Sequence, residues 1–199
     1  MEEEQVKPQN DTAFTEDDDD PPTLSSHTLA ALKEFLQQQQ TITDQTAQTE
    51  GEVHSQFVSL VPTLYAYIKK IYPSVNVQLL EYDKRFEQYG SDFTFYDYNK
   101  PEDLPDQFKH AFQVVVADPP YLSQECLEKV AQTISFLAIP GKSYVLLLTG
   151  DVQKDRAAEL LGLHSCGFRP QHSSKLGNEF RLFTNYDPGM RLGGWELEK

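Results

Sequence analysis

The sequence predicts an α/β domain with an open, mostly parallel sheet that takes in an antiparallel strand at its end. Three observations predict it. From Gln56 onward strand-length apolar runs alternate with helical patterns, Val114 to Ala117 is a continuous apolar run of the kind a strand buried on both faces shows, and the last two strand patterns follow one another with no helix between them. Strands separated by helices form parallel βαβ units, whereas two strands joined only by a loop must form a hairpin.

Taken in order, Gln56 to Val61 reads as a short strand, Thr63 to Ile71 as an aromatic-rich helix, and Asn76 to Tyr82 as a strand of apolar and polar alternation. A helical turn follows at Lys84 to Tyr89, then strands at Phe93 to Tyr98 and Phe112 to Ala117. Ser123 to Leu137 has helical spacing, Pro140-Gly141 is a turn, and Tyr144 to Leu148 is the most continuous apolar strand. Val152 to Leu161 reads as a helix ended by Gly162, and the hairpin strands are Ser165 to Phe168 and Glu179 to Asn185.

Ahead of this domain, placed at residues 53–199, the chain changes character. Residues 1–22 form an acidic leader, expected to be disordered: nine acids in the first twenty residues stand against Lys7 alone, and Pro21-Pro22 follow. Residues 23–52 hold a short amphipathic helix, capped by Ser25 or Ser26 and carrying Leu29, Leu32, Phe35 and Leu36 at helical spacing, then a polar linker from Thr41 to Glu52. The leader accounts for more than half of the net charge of −14. What remains is still acidic, which counts against a duplex nucleic-acid substrate, since phosphate binding favours a basic surface.

Cys126 and Cys166 stand singly without metal-ligand spacing, so no metal site is expected, and a reduced intracellular setting fits them better than a disulfide framework. His164 and His172 are isolated and read as surface residues. No segment approaches the roughly 18 apolar residues of a membrane span, so a soluble cytoplasmic protein is expected.

In a sheet of this kind ligands bind outside the carboxyl ends of the strands. That draws attention to Asp118-Pro119-Pro120-Tyr121, which emerges where the buried strand ends. Two prolines fix two φ angles and remove two N–H donors, and Pro119 holds Asp118 extended. A carboxylate, a preset carbonyl and an aromatic ring together suit an amine: the oxygens accept its hydrogens and aim its lone pair, as methyl transfer to nitrogen requires. A plain reading of the same residues is a turn in which Asp118 caps the next helix.

The runs LLEYDKRFEQYGSDFTFYDYNKPEDLP and FQVVVADPPYLSQECLEKV and the close SSKLGNEFRLFTNYDPG resemble the lysine methyltransferases of elongation factor 1-alpha, once labelled N6-adenine-specific DNA methyltransferases. The resemblance implies a Rossmann-like class I methyltransferase fold, with a seven-stranded sheet and an antiparallel last strand, and S-adenosylmethionine as cofactor. It implies catalytic roles for Asp118, Pro119, Pro120 and Tyr121. Cofactor contacts would come from the first-strand loop Val61-Pro62-Thr63, from Glu81 and Asp83 as acids for the ribose hydroxyls with Asp83 preferred, from Asp97 for the adenine amino group, and from the backbone of Tyr98. Asn178, Glu179 and Phe180 would lie near the substrate entrance. Family members carry a longer stretch ahead of the first strand, whereas this chain passes through His54-Ser55-Gln56-Phe57 directly into VSLVPTLYAY.

The expected function is therefore N-methylation of a protein lysine, with elongation factor 1-alpha as the partner. Two alternatives stand beside it: an N6-adenine nucleic-acid methyltransferase, and a catalytically impaired shortened form acting as a binding module. Oligomeric state is not legible in the sequence.

Overall fold

Seven strands and three α-helices alternate through the computed structural model, which describes residues 56–170 and 179–196. The strands are β1 (Gln56–Ser59), β2 (Asn76–Glu81), β3 (Phe93–Phe95), β4 (Val114–Ala117), β5 (Tyr144–Gly150), β6 (His164–Ser165) and β7 (Phe180–Thr184). The helices are α1 (Pro62–Ile71), α2 (Gln124–Leu137) and α3 (Lys154–Leu161). The expected acidic leader, amphipathic helix and linker, together with His172 and Asn178, lie outside the described residues.

The strands form one sheet in the order β3-β2-β1-β4-β5-β7-β6. Strands β1 to β5 pair in parallel, and β7 runs antiparallel to both β5 and β6. The last hairpin thus folds back to insert β7 beside β5, so the expected antiparallel strand is present. Because the chain leaves β1 toward β2 and β3 and then returns to β4 on the other side of β1, the order reverses between β1 and β4. A cleft opens at the carboxyl ends of strands at such a reversal.

Side-chain size and strand parity explain the layers. On one face Val58, Leu80, Val115, Ala117, Val145 and Leu147 pack under Leu127, Val130, Ile134 and Leu137 of α2 and Ala157 of α3, all buried. On the other face Phe57, Val77, Leu79, Val114 and Val116 meet Leu64, Tyr65 and Ile68 of α1. All four residues of β4 are buried, as its continuous apolar run requires. Over β5 the α1 face is thinner: Tyr144, Leu146 and Leu148 are half-buried while Val145 and Leu147 on the opposite face are buried.

Local chemistry sets the ends of the helices. Ser123 caps α2, its Oγ accepting the Cys126 N–H at 3.2 Å, so it precedes the helix rather than opening it. Gly162 ends α3 with φ of 65°, a left-handed value glycine adopts without strain. Three elements are shorter than the pattern suggests. The third strand stops at Phe95, since Asp97 turns the chain; Phe112 makes only an isolated bridge to Ala138 ahead of β4; and Asp151 to Gln153 form a 3-10 turn before α3 begins at Lys154. Likewise β6 ends at Ser165, and beyond it Cys166 bridges Trp195 of the C-terminal segment.

Both cysteines are buried and unpaired, and His164 is exposed with its ring 4.6 Å from that of Trp195. Among the described residues there is no cluster that could hold a metal ion, and no helix is long and apolar enough to cross a membrane.

Leu147 is fully buried where β5 meets α2 and α3. Leu147→Ala is expected to cost about 3 kcal/mol of unfolding free energy, against less than about 0.5 kcal/mol for Met190→Ala at an exposed position, as read by urea denaturation.

Candidate active site

The carboxyl ends of β1, β2, β3 and β4 gather most of the residues singled out from the sequence. At the end of β1, Ser59 is buried and its Oγ both donates to the Val61 carbonyl at 3.0 Å and accepts the Val61 N–H at 3.1 Å. Leu60 N–H donates to the Val116 carbonyl at 2.9 Å, tying this loop to β4. Val61 leads into α1, with Pro62 at the first helical position and no side chain capping the end. Uncapped N–H groups and the helix dipole favour electron-rich partners in front of α1. Thr63 lies in that first turn.

At the next two strands the acids divide in their duties. Glu81 is the last residue of β2, and its Oε1 accepts the Asp83 N–H at 3.0 Å. Asp83 falls outside the strand, at the head of the 3-10 turn that follows it. Its carboxylate accepts the Arg85 N–H at 2.9 Å and the Arg85 Nε at 2.7 Å, and the Arg85 side chain holds the Asp83 carboxyl below its ordinary range. Asp97 is joined to Glu81 through the backbone, because Tyr96 N–H donates to the Glu81 carbonyl at 3.0 Å. Asp97 Oδ1 accepts the Asn99 N–H at 2.9 Å and the Asn99 side-chain amide at 3.1 Å, forming a local turn.

Asp118 differs from these acids. It follows β4 directly, and among the described residues it has no hydrogen bond or ion pair. Its side chain reaches solvent at the cleft mouth while protein crowds its remaining sides, and this partial loss of water pushes its carboxyl up to about 6. Pro119 is buried, Pro120 exposed, and Tyr121 is 61% exposed. The Tyr121 ring stands edge-on to Tyr98 with centroids 6.0 Å apart, so the segment after β3 and the corner after β4 meet. A rigid carboxylate without a protein partner, partly open to solvent beside an exposed aromatic face, is equipped to accept hydrogens from a nitrogen placed there.

Glu179 and Phe180 sit on the same edge of the sheet, at the carboxyl end of β5, two strands over from Asp118. Phe180 opens β7 opposite Gly150, and Glu179 pairs with Arg169 at 2.9 Å and Arg181 at 3.1 Å. Sequence reasoning missed Ser59, whose role depends on its burial, and the exposed pair Tyr82 and Phe95, whose rings meet at 5.4 Å beside Glu81 and Asp97. Large aromatics just past an acidic strand end were the available signal.

The model of a family described as probable N6-adenine methyltransferase matches residues 24–188. The chain is 39% identical to EEF1A lysine methyltransferase 1 of Mus musculus over 209 residues, covering 87% of this chain and 96% of that one. It is 37% identical to the protein of the same name from Homo sapiens over 212 residues, covering 89% and 98%. A protein-lysine N-methyltransferase of Dictyostelium discoideum is 44% identical over 127 residues, covering 63% and 58%. Since 87% of 199 residues is about 173, about three dozen of the 209 positions aligned with the mouse protein have no counterpart in this chain. Among solved structures, the 16S rRNA N2 G1207 methyltransferase of T. thermophilus in complex with AdoMet and guanosine superposes with a TM-score of 0.42 at 14% identity, covering 72% of this chain and 38% of that one.

The Asp118 carboxyl titrates in the folded chain at about 6, above its ordinary 3.8. The folded state therefore holds a proton that the unfolded chain has released, and stability falls as pH rises through this interval. Asp118→Asn removes that penalty. It is expected to gain stability over the parent at pH 7.5 by about 1 kcal/mol or less, allowing for water's access, with a smaller gain at pH 5, as read by thermal unfolding at both values.

Proposed function

The chain belongs to the family of the probable N6-adenine methyltransferase model, whose relatives named above are lysine methyltransferases, and on that premise we infer that it methylates the side-chain nitrogen of a protein lysine, with elongation factor 1-alpha as its substrate in the cytoplasm. The observation that carries this reading is the Asp118–Tyr121 corner: a carboxylate without a protein partner, a carbonyl preset by proline and an exposed ring, at the point where the strand order reverses.

The cofactor of this reading is S-adenosylmethionine, and the residues present fit it. Two adjacent strand ends offer carboxylates at Glu81 and Asp97, an exposed aromatic pair lies beside them, and the uncapped start of α1 faces the end of β1. Glu81 is the better acid for the ribose hydroxyls, because Asp83 is already committed to Arg85; this moves the preference away from Asp83. Asp97, with the Tyr98 backbone, suits the adenine edge, Tyr82 and Phe95 offer flat surfaces for its ring, and Val61, Pro62 and Thr63, where β1 passes into the helix, would meet the rest of the molecule. When bound, the cofactor supplies an electrophilic methyl group on a sulfonium.

The chain's own residues do the rest. A lysine ammonium has no lone pair to offer, and removing its proton at pH 7 costs about 4 to 5 kcal/mol at the reference pKa near 10.4. Partial desolvation at the corner lowers that cost, and Tyr121 excludes water from the approaching amine. The Asp118 carboxylate and the Pro119 carbonyl accept the two remaining N–H bonds, which aims the lone pair along one line. Pro120 keeps the carbonyl from turning away.

An adenine reading is favoured by the family's description, and the same corner would serve an exocyclic amine. The acidic balance of the chain supports protein over nucleic acid. Radiolabelled S-adenosylmethionine given to the protein with elongation factor 1-alpha and a DNA oligonucleotide side by side is expected to label lysine, and Asp118→Ala to cut that label by about a hundredfold or more; label on DNA alone would select the adenine reading. By calorimetry, Glu81→Gln is expected to weaken cofactor binding about tenfold, while Asp83→Asn changes it by less than about threefold.

A further inference from the structure

Beside the corner, continuing from Tyr121, lies an apolar ledge whose own residues, Leu122 and Val152, the reaction described above does not use. Val152 is 71% exposed and Tyr121 61% exposed, and they account for two of the five large hydrophobic residues exposed among the described ones. Tyr82 and Phe95 belong to the cofactor end, and Met190 sits in the C-terminal turn. Val152 and Tyr121 instead border one seam, where the loop after β4 meets the turn after β5.

That seam is built to be rigid. Gly150 ends β5, and a Cβ placed there would lie 3.1 and 3.2 Å from the two Leu122 methyl carbons and 3.5 Å from Val152 Cγ2. The Leu122 and Val152 side chains therefore both border the space over the glycine. Gln153, a buried polar residue at 3% exposure, donates its side-chain amide to the Leu122 carbonyl and locks one loop to the other. Arg181 grips Asp151 at 2.7 Å and Glu179 at 3.1 Å, fixing the outer edge of the turn to β7. The exposed valine on a loop so firmly held offers a fixed apolar surface, and covering it on binding is favourable.

We propose that this Leu122–Val152 ledge receives an apolar side chain flanking the target lysine, so that the substrate is a polypeptide segment with an apolar residue near its lysine. The proposal rests on the lysine reading above and deepens it. A lysine side chain reaching Asp118 leaves its backbone at the cleft mouth, and the ledge lies directly beside that mouth, on the loop that continues from Tyr121. The ion-pair network at the outer edge of that turn, Asp151, Glu179 and Glu196 with Arg169 and Arg181, carries one net negative charge, which suits a cationic segment better than a polyphosphate.

The test uses the full chain, the elongation factor, and synthetic peptides spanning its methylated lysine in which each position within three residues is changed in turn to serine. Val152→Ser is expected to raise KM for the protein about tenfold, with kcat within about twofold and cofactor binding unchanged, and Val152→Ile to restore it. One flanking apolar position in the peptides should account for the loss: with that residue changed to serine, parent and Val152→Ser become equal. An unchanged KM in Val152→Ser, or an equal loss on every peptide, overturns the ledge while leaving lysine methylation intact. A parent protein that puts no label on lysine overturns the lysine reading and the ledge with it.

Discussion

A fully buried strand that runs straight into two prolines is the constraint on which the rest of the molecule depends. Val114 to Ala117 cannot slide, because both faces are packed and its backbone pairs with β1 and β5. The next residue must emerge at the carboxyl end, and Pro119 and Pro120 leave it little freedom once there. Asp118 is therefore placed by packing and ring closure rather than by hydrogen bonds of its own. That matters chemically, since an acid held by partners has spent its lone pairs before any ligand arrives.

The contrast with the neighbouring acids makes the point. Asp83 is neutralised by Arg85, and Asp97 curls back onto Asn99, so each serves the local chain with at least one oxygen. Asp118 is exposed at the cleft mouth but crowded on its other sides, and it receives no donor from the described residues, so its raised carboxyl is relieved by any N–H brought to the site. Fold stability and ligand affinity are thus opposed at one residue, as they commonly are where a protein binds or reacts. The cover of the sheet shows a second local economy: α1 shields β1 and β2 well but leaves Tyr144, Leu146 and Leu148 of β5 half-buried.

The alternation of apolar runs was enough to read the parallel sheet and its antiparallel close, because burial on both faces leaves an unmistakable stretch such as Val114 to Ala117. Boundaries were less legible. The third strand ended early at Phe95 because Asp97 takes Asn99 into a turn, and the helix after β5 began late because Asp151 to Gln153 wind more tightly first. In the site, the corner could be read from prolines, whose effect is local. The sharing of work between Glu81 and Asp83 could not, since it depends on whether Arg85 folds back, which spacing does not encode. Ser59 and Val152 were invisible for a related reason: one matters through its burial and the other through its exposure, and both are products of the tertiary fold.

The central claim is that Asp118 and Pro119 orient the nitrogen that receives the methyl group. A crystal structure of the protein with a non-reactive cofactor analogue and a lysine peptide tests it most directly. The account predicts the lysine nitrogen within about 3 Å of an Asp118 carboxylate oxygen and of the Pro119 carbonyl, under the Tyr121 ring. A lysine bound elsewhere, or one whose nitrogen points away from both oxygens with the analogue in place, would contradict it.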